Sequence, residues 1–148
     1  MDVGSTIFDT FLRTANVVPR ALLELSGGRV GNAFKSMPVV QLHTIGRVSG
    51  KRRSVMLTAP IHGDGRYVLV ASKGGDDRQP DWYLNLVANP DVELTVDGAT
   101  HLMRARTATA EERMEMWPQV IAAHDGYGDY QARTEREIPL VVCESRAA

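Results

Sequence analysis

Arg47, Lys51, Arg52 and Arg53 place four cations within seven residues, with no acid among them. Gly46 and Gly50 punctuate the same stretch. Glycine allows positive φ and close backbone approach, and successive N–H groups in such a turn form an anion-binding concavity. Ser49 adds a hydroxyl, and Arg47 or Arg53 can grip a phosphate through two N–H groups at once, which lysine cannot. The chemistry is recognition of a compact anion. The spacing is not that of a Walker loop and no helix follows. A solvated hairpin end, basic for solubility, accounts for the same residues equally well.

Three further groupings carry chemistry-bearing side chains. Ala71-Ser72-Lys73-Gly74-Gly75 leaves the end of a strand with a hydroxyl, an ammonium and a sharp turn; loops of this composition are also common without function. Asp81-Trp82-Tyr83-Leu84-Asn85 opens a short helix with two aromatics, which stack on a planar heterocycle or, more commonly, fill a core. His124, Tyr127 and Tyr130 lie within seven residues, interrupted by Gly126 and Gly128. This segment reads as a substrate lid or proton donor, or as a connector propped by its tyrosines. The four histidines lack metal-type spacing, so no metal site is expected. Cys143 sits in an apolar run and reads as inert core. No Gly-x-Ser-x-Gly elbow supports a hydrolase triad.

The elements that must position these residues follow from periodicity. The chain has 148 residues, ample for a core without staples. Residues 5–26 repeat apolar side chains at three- and four-residue steps, an amphipathic helix covering one opening of the core. Membrane-surface contact through 5–26 is the minority reading, since only Arg13 and Arg20 decorate it. From Pro38 the period becomes two. Strands are expected at 39–44, 54–61, 66–71, 92–96, 100–107 and 138–143, with hairpin turns at Asp64-Gly65 and Asp97-Gly98. A short helix is expected at 82–88. A second opens at Thr109 through the pairing Thr109-x-x-Glu112, with Met114, Trp117, Val120 and Ile121 as its buried face and Pro118 disturbing it. Six strands with flanking helices give a mainly β fold, a small closed or half-closed barrel, in one domain over 1–148. Residues 1–35 form its N-terminal helical segment.

Cations number 17 and anions 18, for a net charge of −1. A basic hairpin on an otherwise acidic chain suits a small anionic ligand better than nucleic acid. A single cysteine fits a reducing, cytoplasmic setting. No run of 18 apolar residues marks a membrane span, and the N-terminus lacks signal-peptide order.

Gly-Arg-Val-Ser-Gly-Lys-Arg-Arg at 46–53, Val-Ala-Ser-Lys-Gly-Gly at 70–75 and Pro-Asp-Trp-Tyr-Leu-Asn-Leu-Val-Ala-Asn-Pro at 80–90 resemble the deazaflavin-dependent nitroreductase family. So do Tyr-Gly-Asp-Tyr-Gln at 127–131 and Ile-Pro-Leu-Val-Val-Cys-Glu at 138–144. The resemblance spans residues 36–144. It implies a split β-barrel like that of flavin reductases, reduced coenzyme F420 as co-substrate, and an actinobacterial source. It further implies that Arg47, Val48, Ser49, Gly50 and Arg53 hold the acidic linker and tail of the coenzyme. Val55, Met56 and Leu57 would lie along its ring, and Ala71, Ser72, Lys73 and Gly74, with Asp81, Trp82, Tyr83 and Asn85, would close the other side. Ser72, Tyr127 and Tyr130 take the catalytic roles, the tyrosines as proton donor and Ser72 as hydrogen-bond donor to a quinone, enone or nitro acceptor. The chain departs from the family pattern at Val48, where a cation is usual, at Met56, where proline is usual, and at Thr58 and His124, where some members carry tyrosine. An FMN-binding barrel oxidoreductase and a non-catalytic carrier of F420 or a lipophilic molecule are the alternatives.

Overall fold

The computed structural model of the chain describes residues 37–146. The helix expected at 5–26 lies outside them. Seven strands, β1 (Val39–Ile45), β2 (Arg52–Thr58), β3 (Ile61–Gly63), β4 (Arg66–Val70), β5 (Asp91–Val96), β6 (Ala99–Thr107) and β7 (Leu140–Ser145), form one antiparallel sheet in the order β2-β1-β5-β6-β7-β4-β3. Three α-helices accompany it, α1 (Asp81–Ala88), α2 (Ala110–Ala123) and α3 (Gly126–Ala132), together with one short 3-10 turn at Lys73–Gly75.

There is one strand more than the sequence predicts, and its cause is local. The run expected from 54 to 61 breaks at Ala59-Pro60, because proline cannot donate to a ladder. β2 pairs with β1, whereas β3 turns away to pair with β4. Asp64-Gly65 and Asp97-Gly98 make the expected tight turns, with φ of 53° and 72°, and 51° and 81°. Two positive φ values in succession are what a two-residue hairpin turn requires.

β4 and β7 are buried on both faces, which explains why Val68-Leu69-Val70 and Leu140-Val141-Val142-Cys143 are continuous apolar runs. Leu69, Val141 and Cys143 face one core with Leu42, Leu94 and Leu86 of α1. Val68, Leu140 and Val142 face another, roofed by Met116, Val120, Tyr127 and Tyr130 of α2 and α3. Cys143 is fully buried, and burial pushes its thiol up to about 12.

α2 begins as expected. Thr109 accepts from the Glu112 N–H at 3.2 Å and the Glu112 carboxylate accepts from the Thr109 N–H at 2.9 Å. Arg106 grips the same carboxylate with two N–H groups at 2.7 and 2.9 Å, which holds Glu112 down to about 2. The helix runs on through Pro118. Its buried face is the expected one but for one residue: Val120 is inside, Trp117 and Ile121 pack half-buried on the same core, Met116 joins them, and Met114 is 78% exposed.

The segment 124–130, read as a lid, a proton donor or a connector propped by its tyrosines, takes the form of that connector. It folds as α3, with Tyr127 and Tyr130 in the core. The Tyr127 hydroxyl shares a 2.7 Å hydrogen bond with Thr58. The two tyrosine rings meet edge to face at 6.1 Å.

Candidate active site: a cleft between the basic hairpin and α1

A cleft of about 980 Å³ opens between the β1–β2 hairpin, the turn that follows β4, and the start of α1. Its floor comes from alternation along β2. Val55 and Leu57 face in, while Met56 stands on the opposite face opposite Gln41. β2 is the outer strand of the sheet, so one row of its backbone groups lacks a ladder partner. Val70 and Trp82 complete the apolar surface.

The hairpin contributes less backbone than its glycines suggest. The N–H groups of Gly46 and Gly50 bond to Lys51 O and Gly46 O at 2.8 Å each. That of Lys51 bonds to Ser49 Oγ at 3.1 Å, and that of Arg47 to Asn85 Oδ1 at 3.1 Å. Gly46 is needed for space, since a Cβ there would stand 2.6 Å from Ser49 Oγ. The hairpin therefore offers an anion mainly side chains.

Those side chains have different tasks. Arg47 is committed to α1: its Nη1 donates to Asn85 Oδ1 at 2.9 Å, and its Nη2 reaches Asp81 Oδ1 at 3.3 Å. Asn85 is buried and also donates to Thr44 Oγ1 at 3.3 Å, so it clamps hairpin, sheet and helix together. Arg52 pairs with Glu93 at 3.3 Å. Arg53 contacts only the Ser49 hydroxyl, at 3.4 Å. Among the described residues no carboxylate lies within ion-pair distance of Arg53 or Lys73. These two are the cleft's uncommitted cations.

Across the cleft, Ser72, Lys73 and Gly74 form its second polar edge. Ser72 is buried and its hydroxyl has no partner among the described residues. Lys73 has a φ of 46°, a conformation a long side chain rarely adopts.

The structure thus gathers Arg47, Val48, Ser49, Arg53, Val55, Leu57, Ser72, Lys73, Gly74, Asp81, Trp82 and Asn85 around one cleft. Other expected residues stand apart. Gly50 is an exposed corner with φ of 70°. Ala71 is buried behind the turn, its N–H bonded to Pro139 O. The Tyr83 hydroxyl turns to Thr107 at 2.8 Å. Tyr127 and Tyr130 sit in the core and do not line the cleft. Burial pushes the Tyr127 phenol up to about 12 against the opposing pull of its Thr58 hydrogen bond. Thr44, Ser54 and Val70 line the cleft without having been singled out. Alternation within their strands was the signal available for them.

A cationic rim, an apolar strand edge as floor and a free hydroxyl suit a flat ring carrying an acidic chain. Comparison with known proteins points the same way. Residues 17–145 match the family model described as F420H(2)-dependent quinone reductase. An F420H(2)-dependent quinone reductase of Mycobacterium tuberculosis is 37% identical over 131 residues, covering 85% of this chain and 87% of that protein. The solved structure of an F420-H2 dependent reductase, FDR-A, superposes with a TM-score of 0.66 at 39% identity, over 72% of this chain and 94% of that one. An FAD-binding protein of Mesorhizobium loti shares the fold alone, at 11% identity and a TM-score of 0.55, over 82% and 88% of the two chains. The mainly β fold is accordingly that of the split-barrel, flavin-reductase-like proteins. The match to 129 consecutive positions and the identity of its relatives make this chain a member of the F420H(2)-dependent quinone reductase family.

Proposed function

We propose that the chain reduces a quinone, with activated enones and nitro compounds as further acceptors, using reduced coenzyme F420 bound in the cleft. When bound, the coenzyme supplies a hydride from C5 of its ring; the redox chemistry is its own. The observation that carries the reading is one cleft that combines an apolar strand edge with uncommitted cations at its rim. Val55 and Leu57 present the flat surface for the ring. Arg53 and Lys73 neutralise the acidic linker and tail, and Val48 and Ser49 add backbone N–H groups. Arg47 works indirectly, by latching the hairpin onto Asn85 and Asp81 so that the cleft keeps its width. Trp82 excludes water from the α1 side. The Ser72 hydroxyl is placed to donate to the acceptor oxygen as that oxygen gains charge, which favours the transition state over the ground state. Tyr127 and Tyr130 support this arrangement from the core, where Tyr127 anchors Thr58 next to Leu57.

Fluorescence titration with F420 at low and high salt tests the cofactor reading, with FMN as the control. F420 is expected to bind more tightly, and more weakly as salt rises. Arg53→Gln is expected to weaken F420 binding about tenfold, the scale of one charge-assisted hydrogen bond. Tighter binding of FMN, or affinity indifferent to salt, overturns it. Turnover with menadione tests the acceptor: Ser72→Ala is expected to lower kcat about tenfold without changing F420 affinity.

A further inference from the structure

We infer that Arg136, which does not line the cleft, positions an oxyanion subsite formed by the backbone N–H groups of Ser72, Lys73 and Gly74. Ser72 is right-handed (φ −79°, ψ −38°), and the Lys73 that follows has φ of 46°. A right-handed residue followed by a left-handed one turns consecutive N–H groups to one side, the geometry of an anion-binding nest. None of these three N–H groups has a partner among the described residues. All three residues line the cleft.

The carbonyls of the same turn point the other way, toward one guanidinium. Arg136 donates Nη2 to Ser72 O at 2.9 Å and to Ala71 O at 3.3 Å. Its Nη1 donates to Ala71 O at 3.3 Å and to Gln79 Oε1 at 3.0 Å, and its Nε to Asp76 O at 2.8 Å. In a trans peptide the N–H opposes the carbonyl, and the described chain has no cis bond. Holding Ala71 O and Ser72 O toward Arg136 therefore faces the N–H groups of Ser72 and Lys73 away from it, into the cleft. Arg133 also ties down the end of the turn, donating to Gly74 O at 3.3 Å.

Arg136 is itself fixed. Its carbonyl accepts from Gln131 Nε2 at 2.7 Å, and the neighbouring Thr134 donates to Asp77 Oδ1 at 2.7 Å. The guanidinium makes no close ion pair among the described residues, and the Asp76 and Asp77 carboxylates act on its charge from longer range. Lysine cannot reproduce this fork of donors. The subsite takes an oxygen anion from one of two sources: the acidic chain of the cofactor, or the acceptor oxygen as it takes on charge. The inference depends on the function proposed above only for that identity.

Titration of the ¹⁵N-labelled full chain with inorganic phosphate tests the subsite directly. The amide resonances of Ser72, Lys73 and Gly74 are expected to shift saturably, and Arg136→Lys is expected to raise the phosphate concentration needed about tenfold. Silence at these amides, or an unchanged titration in Arg136→Lys, overturns the inference. Should Arg136→Lys not fold, Gln79→Ala removes one acceptor from the same guanidinium; a shift of about threefold is expected, and none overturns the assignment. Kinetics with F420H2 and menadione separate the sources. A weaker F420H2 affinity at constant kcat assigns the cofactor's chain, whereas a lower kcat at constant affinity assigns the acceptor oxygen. Wild-type values of both in a folded Arg136→Lys protein overturn the positioning role. A phosphate response without any turnover of F420H2 leaves the subsite standing and removes the proposed function alone.

Discussion

In the β1–β2 hairpin the N–H groups of Gly46, Arg47, Gly50 and Lys51 are consumed nearby, whereas the turn at Ser72–Gly74 leaves three consecutive N–H groups open. The hairpin meets an anion with charges on flexible side chains. The turn meets it with fixed dipoles supported from behind by Arg136. Flexible charges steer and attract at a distance, and salt screens them. Fixed donors act at short range and in one direction, without reorganising as charge develops. On the function proposed above, the two sides of one cleft divide capture from orientation.

Substitutions can break either side of this contrast. The largest effect is expected at Gly75, the last residue of the turn, with φ of 86° and a would-be Cβ 2.6 Å from Tyr130 O. Gly75→Ala is expected to lower stability by about 3 kcal/mol in chemical denaturation, as backbone strain and a backbone clash combine. A loss below about 1 kcal/mol would show the turn to be pliant. Next comes the clamp on the hairpin side. Asn85→Ala strands the Arg47 N–H and the Thr44 hydroxyl, and is expected to cost about 2 kcal/mol. It should weaken F420 binding while leaving the salt dependence intact, because no charge is removed. Gly50→Ala is a smaller test, since nothing stands within 4 Å of its missing Cβ. Only the φ of 70° opposes it, at about 1 kcal/mol, and F420 affinity should change less than threefold. The smallest effect is a pH dependence from outside the cleft, at the start of α2. Glu112 has a folded pKa lowered to about 2 from 4.5. Its contribution is present above about pH 4.5 and lost as pH falls toward 2. Denaturation midpoints followed between pH 5 and 2 should fall less steeply in Glu112→Gln than in the wild type.

The hairpin was legible because its signal is local. Glycines, cations and alternating strands lie within a dozen residues, so motif and structure coincide at Arg53, Val55 and Leu57. The turn was legible only in its own residues. Arg136 comes from a polar, aperiodic stretch, and its partners lie 57 to 65 residues earlier in the chain, so no spacing rule reveals it. At Tyr127 and Tyr130 the glycines at 126 and 128 did not reveal the burial of the phenols; Gly126 sits against the His124 ring, which leaves no room there for a Cβ. In α2 the periodicity held at Trp117, Val120 and Ile121 and failed at Met114 alone; Met116, four residues before Val120, takes the inside place instead. Pro60 was overlooked as a break because the apolar run continues on both sides of it.

Cys143 carries a consequence for a catalyst that handles electrophiles. Quinones are alkylating agents toward thiolates by conjugate addition, and only the deprotonated sulfur reacts at a useful rate. The chain has a single cysteine. It is sealed inside β7 with a protonation equilibrium near 12. An acceptor diffusing over the protein therefore finds no thiolate to arylate, and self-inactivation by that route is closed.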